Sequence, residues 1–201
     1  MALCSGAAPG VGGRTIVAGD PYTGRQTGDA GIFPVEQPLV LDLGCGNGLF
    51  LAALAAAEPG WNILGIEKKD YRVRQARRRA RELPNVRIVQ GEATEVLSGL
   101  PPDSVSRIYL LFSDPWPKRR HAVRRLVQDD FVGLVRSKVE CGGIFFFATD
   151  SAEYFEWAKK RFMAAGWTLA DWALPEGWPQ TEFEQRFVSD GVEIGRFQAT
   201  P

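Results

Sequence analysis

Histidine is nearly absent from this chain. Its 201 residues hold one histidine, His121, and three cysteines, Cys4, Cys45 and Cys141, with no Cys-x-x-Cys spacing. So few ligands, so far apart, argue against a zinc site, any other metal site or a disulfide framework. No apolar run approaches the ~18 residues of a bilayer span. The N-terminus lacks the basic start and apolar stretch of a signal peptide. No membrane partner is expected, and the cytoplasm is the expected compartment. Net charge is lacking too: 24 Lys and Arg balance 24 Asp and Glu. Zero net charge excludes neither nucleic acid nor any other partner, because distribution decides that.

The distribution is uneven. Residues 68–81 carry eight cations against one acid, and residues 118–125 carry five cations and no acid. More than half of the basic side chains therefore sit in two short runs, and a neutral chain can still present a basic face. Hydrophobic residues at 45% support a globular domain with a real core.

Residues 1–36 hold eight glycines and little apolar periodicity, and read as an extended or mobile arm. From residue 37 the pattern changes to one domain, 37–201. LVLDL (39–43), WNILGIE (61–67), NVRIVQG (85–91), VSRIYLLFSD (105–114) and CGGIFFFATD (141–150) read as strands. Helical patterns separate them, at 47–57, from 68 to about Leu83, at 129–139 and at 151–166. In the second of these, Val73, Ala76, Ala80 and Leu83 form the apolar stripe. Nearly continuous apolar strands alternating with helices predict an α/β fold with a mostly parallel, doubly wound sheet. The last segment, EQRFVSDGVEIGRFQA, reads as an antiparallel hairpin turning at Ser-Asp-Gly.

Ligands of such sheets bind beyond the carboxyl ends of the strands. After the first strand stands Asp42-Leu43-Gly44-Cys45-Gly46-Asn47-Gly48. Its glycines admit close backbone approach, and a helix N-terminus follows. Leu49 breaks the dinucleotide fingerprint, which needs Gly or Ala there. Glu67 ends the second strand, 19 residues after Gly48, where a carboxylate can accept from two ribose hydroxyls. Glu92 follows the third strand, in reach of a base edge. Three carboxylates in one cleft repel a pyrophosphate. They suit an adenosine that carries an ammonium and a sulfonium, which is S-adenosylmethionine.

VLDLGCGNG with GIE resembles the class I methyltransferases, whose fold is Rossmann-like. Continued through LFSDPWPKRRH, FFFATD and TEFE, the chain resembles the tRNA (guanine-N7)-methyltransferase family from about Leu39 to about Ala199. That resemblance implies S-adenosylmethionine as cofactor, tRNA as partner and a guanine of the variable loop as acceptor. It implies cofactor contacts by Asp42, Gly44, Gly46, Gly48, Glu67, Glu92 and Asp114. Asp114 is the implied catalytic residue, and Lys118, Asp150, Thr181, Glu182, Phe183 and Glu184 are implied to contact the nucleotide. Glu92 stands where the family usually has Asp, and Ser113 where proline is common.

Guanine N7 already has an in-plane lone pair, so its methylation needs no proton removed. Positioning and electrostatics then carry the catalysis. Pro115 and Pro117 should stiffen the turn that presents Asp114, with Trp116 extended. Lys118, Arg119, Arg120, Arg124 and Arg125 should face outward toward phosphate. Some assignments stay open at this level. Trp116 suits a packed anchor or a stacking platform. Asp150 suits a helix cap or a nucleotide contact. The 68–81 run suits a solvated face or a second phosphate-binding surface. Phe145, Phe146 and Phe147 read as core, and Cys45 is no nucleophile.

Overall fold

The computed structural model describes residues 32–201. Of the expected 1–36 arm, residues 1–31 lie outside the described residues. Ile32 and Phe33 already pack against the core, and Arg87 Nε donates to the Ile32 carbonyl at 2.7 Å.

The elements run β1 (Leu39–Leu43), α1 (Leu49–Ala57), β2 (Asn62–Glu67), α2 (Asp70–Ala80), β3 (Val86–Gln90), α3 (Ala93–Gly99) and β4 (Val105–Leu111). After β4 come a 3-10 helix (Arg119–Arg124), α4 (Asp129–Lys138), β5 (Val139–Thr149), α5 (Ala152–Ala164), β6 (Thr168–Asp171), α6 (Glu182–Ser189) and β7 (Gly195–Thr200). One seven-stranded sheet has the order β3-β2-β1-β4-β5-β7-β6. Strands β1 to β5 are parallel, β7 runs antiparallel to β5, and β6 antiparallel to β7.

Burial on both faces explains the near-continuous apolar strands. Ile108, Leu110, Phe145 and Phe147 enter one layer with Phe131, Val135, Tyr154 and Phe162 of α4 and α5. Tyr109 and Phe146 enter the other, with Phe50, Leu54, Ala76 and Trp172. The expected stripe of α2 is buried at Val73, Ala76 and Ala80, with Leu83 packed beside it. All three consecutive phenylalanines are buried.

The C-terminal antiparallel pair is present, but β6 and β7 form it across a long connection. No hairpin forms at Ser189-Asp190-Gly191. Residues 182–189 are helical because Thr181 caps them: its Oγ1 accepts from Glu184 N at 2.9 Å. Thr-x-x-Glu is a capping-box spacing, and that signal outweighs the hairpin reading. The Ser-Asp-Gly segment instead stops the helix. Gly191, at φ 69°, lets Val192 N reach the Phe187 carbonyl (2.9 Å) while Gly191 N reaches that of Val188 (3.2 Å). Those two bonds make a Schellman motif.

Gly48 sets how closely α1 approaches α2. It sits at φ 77°, and a Cβ there would fall 2.8 Å from Ala76 Cα and 2.9 Å from Ala76 Cβ. Backbone cannot yield as a side-chain tip does. Gly48→Ala is expected to cost at least about 1–3 kcal/mol in urea unfolding.

Candidate active site

Strand order reverses between β1 and β4, and the turns after these strands open into one cavity of about 670 Å³. Its lining includes Asp42, Gly44, Gly46, Glu67 and Glu92 together with Asp114, Asp150, Thr181, Glu182 and Phe183. The glycine turn and the Asp114 turn thus share a single space.

The turn after β1 is held before any ligand arrives. Gly44 N and Cys45 N both donate to the Ile66 carbonyl, at 2.8 and 3.0 Å. Glu67, 7% exposed, accepts from Gly46 N at 3.1 Å and from Lys69 N at 2.8 Å, one bond to each oxygen. A carboxylate has about four acceptor positions, so Glu67 keeps capacity for hydroxyls. Glu92 lies at the N-cap of α3 and pairs with Lys68 at 3.4 Å. Cys45 is buried, and that burial pushes its thiol far up, away from the reactive thiolate.

Asp42 is 3% exposed. Burial first, and the Glu67 carboxylate second, push its carboxyl up to about 7. It therefore stays partly protonated near neutrality unless a cation lies beside it.

At the other end, Phe112 and Trp116 bracket Asp114 with φ of 54° and 43°. Non-glycine residues avoid this region unless their surroundings hold them there. Trp116 is therefore not extended, as the following proline alone suggests. The force that overrides proline comes from Arg125, which turns inward rather than toward solvent. At 2% exposure it donates Nε–H to the Pro115 carbonyl at 2.7 Å and Nη2 to the Trp116 carbonyl at 3.3 Å. Nη2 also reaches Glu153 at 2.9 Å, and the guanidinium lies over the Trp157 ring. Trp116 is half-buried: His121 meets its ring edge-on and the Arg124 guanidinium lies over it. Asp114 itself is exposed at the cavity wall and forms no ion pair with any described residue.

The acceptor-side residues divide. Asp150 lines the cavity and is not the cap of α5; Ser151 takes that place, its Oγ accepting from Tyr154 N at 3.3 Å. Phe183 lies between Phe187 and the Arg72 guanidinium, and Phe187 in turn meets Phe112. Thr181 is the cap of α6 and Glu182 bonds Asn47. Three expected residues are not in the lining. Gly48 faces Ala76 of α2 instead. Lys118 caps the 3-10 helix, and Glu184 is 4% exposed in an ion pair with Arg196 at 2.5 Å. In the 68–81 run, Arg74 pairs with Asp70 and Arg81 with Glu82, while Arg77 and Arg79 donate to the Ile88 and Asn47 carbonyls.

Sequence reasoning overlooked Asn47, Arg72, Phe112 and Phe187, and expected Arg125 to face outward where it is buried. Asn47 had a legible signal, a small amide at a helix entrance. Arg125 had only its position before the apolar pair Leu126-Val127.

Fold and cavity together define a Rossmann-like class I methyltransferase. The family model described as "Putative methyltransferase" matches residues 36–197. A tRNA (guanine-N(7)-)-methyltransferase of Leuconostoc mesenteroides is 34% identical over 182 residues, covering 84% of this chain and 83% of that protein. One from Lachnoclostridium phytofermentans is 33% identical over 177 residues, with the same coverages of 84% and 83%. The chain belongs to the tRNA (guanine-N(7)-)-methyltransferase family of enzymes. Among solved structures, the precorrin-6y C5,15-methyltransferase of Geobacter metallireducens shares the fold. Its TM-score is 0.59 at 13% identity, over 84% of this chain and 82% of that one.

Two outcomes follow from the geometry. Between about pH 4 and 7 the folded chain keeps a proton on Asp42 that the unfolded chain releases. Stability from that proton is complete below about pH 4 and is lost as pH rises through about 7. Urea unfolding of the ligand-free protein should show wild type losing a few kcal/mol relative to Asp42→Asn across that range. Arg125→Lys keeps the charge but cannot hold two carbonyls and a carboxylate in one plane. Its kcat should fall about tenfold or more, with cofactor affinity unchanged by calorimetry.

Proposed function

We propose that this enzyme transfers the methyl group of S-adenosylmethionine to N7 of a guanine in the variable loop of tRNA, forming 7-methylguanosine in the cytoplasm. The observation that carries this reading is the shared cavity: the glycine turn with its carboxylates and the Asp114 turn line the same walls.

When bound, the sulfonium cofactor supplies an electrophilic methyl group. Asp42, Glu67 and Glu92 form the acidic end that favours a cationic nucleoside over a pyrophosphate. Glu67 accepts from the ribose hydroxyls with the lone pairs its two backbone donors leave free. A ligand ammonium or sulfonium near Asp42 drives off its proton and restores the carboxylate. The cavity thus charges fully only when its cationic ligand is present.

Asp114 accepts from the Watson–Crick edge of the guanine and opposes the positive charge that develops on the purine. Its position is fixed before substrate arrives by Arg125 through the two carbonyls that follow it, so no reorganisation is needed at the moment of transfer. Phe183, Phe187 and Phe112 line the wall along which a guanine taken out of its stack would lie. Asp150 lines the same cavity and can accept from the base. Lys118, outside the cavity lining, is placed to meet a backbone phosphate, beside Arg119, Arg120 and Arg124. Glu184 acts at a distance by pinning α6 to Arg196.

The test is methyl transfer from labelled cofactor to unmodified tRNA, followed by digestion to nucleosides. We expect 7-methylguanosine from wild type and a loss of about 10²-fold in kcat for Asp114→Asn. Label in another nucleoside, or Asp114→Asn turning over at the wild-type rate, would overturn the reading.

A further inference from the structure

Asn47 is bonded at three atoms to three different helices. Its Oδ1 accepts from N of Leu49, the first residue of α1, at 3.1 Å. Its backbone carbonyl accepts from Arg79 Nη1 of α2 at 2.7 Å. Its Nδ2 donates to Glu182 Oε2, the first residue of α6, at 2.7 Å, across 135 residues of sequence. The first two bonds belong to the glycine turn and hold it in place. The third leaves the turn and reaches the segment that carries Phe183 and Phe187.

Helix α6 has a second tie. Glu184 Oε1 accepts from Arg196 Nη2 at 2.5 Å, and Arg196 lies on β7 opposite Ala148 of β5. That pair is buried and fixes the helix to the sheet. The Asn47–Glu182 bond is exposed, and it alone of the two senses the cofactor turn. A rotation of Asn47 changes what Glu182 can bond, and Glu182 is followed by Phe183 in the cavity wall.

We propose that Asn47 is a positioning residue that couples occupancy of the cofactor turn to the placement of α6, so that bound cofactor tightens the acceptor site for tRNA. The proposal rests on the function given above. Cofactor seated against Gly46 and Asn47 keeps the preformed turn from shifting, the fixed turn holds Asn47, and Asn47 holds Glu182 and the aromatic wall behind it. By linkage, tRNA must tighten cofactor binding by the same factor.

The test reads binding, not turnover. The affinity of unmodified tRNA is measured with and without saturating S-adenosylhomocysteine, the inert product. Wild type is expected to bind tRNA about 5–10-fold more tightly with it, at the lower end of typical couplings. Asn47→Asp keeps the oxygen that accepts from Leu49 N and removes the donor to Glu182, setting two carboxylates against each other. Its coupling should fall below about twofold while thermal unfolding stays close to wild type. Adding Glu182→Gln to Asn47→Asp rebuilds the bond with donor and acceptor exchanged, and should restore the coupling. A merely structural role predicts no such rescue. Three results overturn the proposal: no coupling in wild type, full coupling in Asn47→Asp, or loss without rescue in the double variant. Whether wild type makes 7-methylguanosine is scored separately. An enzyme that methylates yet shows no coupling disproves this inference alone; one that binds tRNA with coupling but forms another nucleoside disproves the function alone.

Discussion

The parallel pairing of β1 with β4, Asp42 beside Tyr109, is the constraint on which the site depends. In a parallel sheet both strands end on the same edge, so the turns that follow must be neighbours. Because the strand order reverses at this pair, neither turn is covered by a crossover helix. The glycine turn and the Asp114 turn then need no further device to meet. All other features of the cavity refine that meeting.

Two refinements use opposite electrostatics. At the cofactor end, the chain buries a carboxylate, Asp42, beside another, Glu67, and leaves the imbalance for a cation to correct. At the transfer end, it buries a cation, Arg125, and spends its donors on the backbone of the turn. The first arrangement makes affinity for a positive ligand. The second makes geometry, because two carbonyls held by one planar group fix the residues around Asp114. Both are costly to bury, and both stand within reach of the proposed reaction.

Much of the fold was legible because its signals were redundant. Strands β1 to β5 were bounded by glycine, proline and polar turns and were apolar on both faces, so propensity and pattern agreed. The C-terminal segment offered two readings of the same letters. Ser-Asp-Gly suits a hairpin, and Thr-x-x-Glu suits a helix start; the bonds at the two ends of 182–189 decide for the helix. The site was legible where the end of a strand decides position: Asp42, Glu67 and Asp114 line one cavity. It was not legible where role depends on burial. Arg124 and Arg125 are chemically identical neighbours, yet one lies over an indole at the surface and the other is sealed beneath the turn. Glu182 and Glu184 differ in the same way, one reaching the cofactor loop and one locked to the sheet. A step of one or two residues decides which side chain reaches the cavity.

The two backbone donors on Glu67 bear on how finely the enzyme can tell nucleosides apart. A buried carboxylate that depended on its ligand for every partner would punish a sugar lacking one hydroxyl severely, since an orphaned charge would remain. Here Gly46 and Lys69 keep each oxygen satisfied whatever the sugar. Under the proposed function, a deoxyribose analogue therefore forfeits a single contact and leaves no orphan behind. Selection against it rests on the remainder of the ligand, above all on its positive charge.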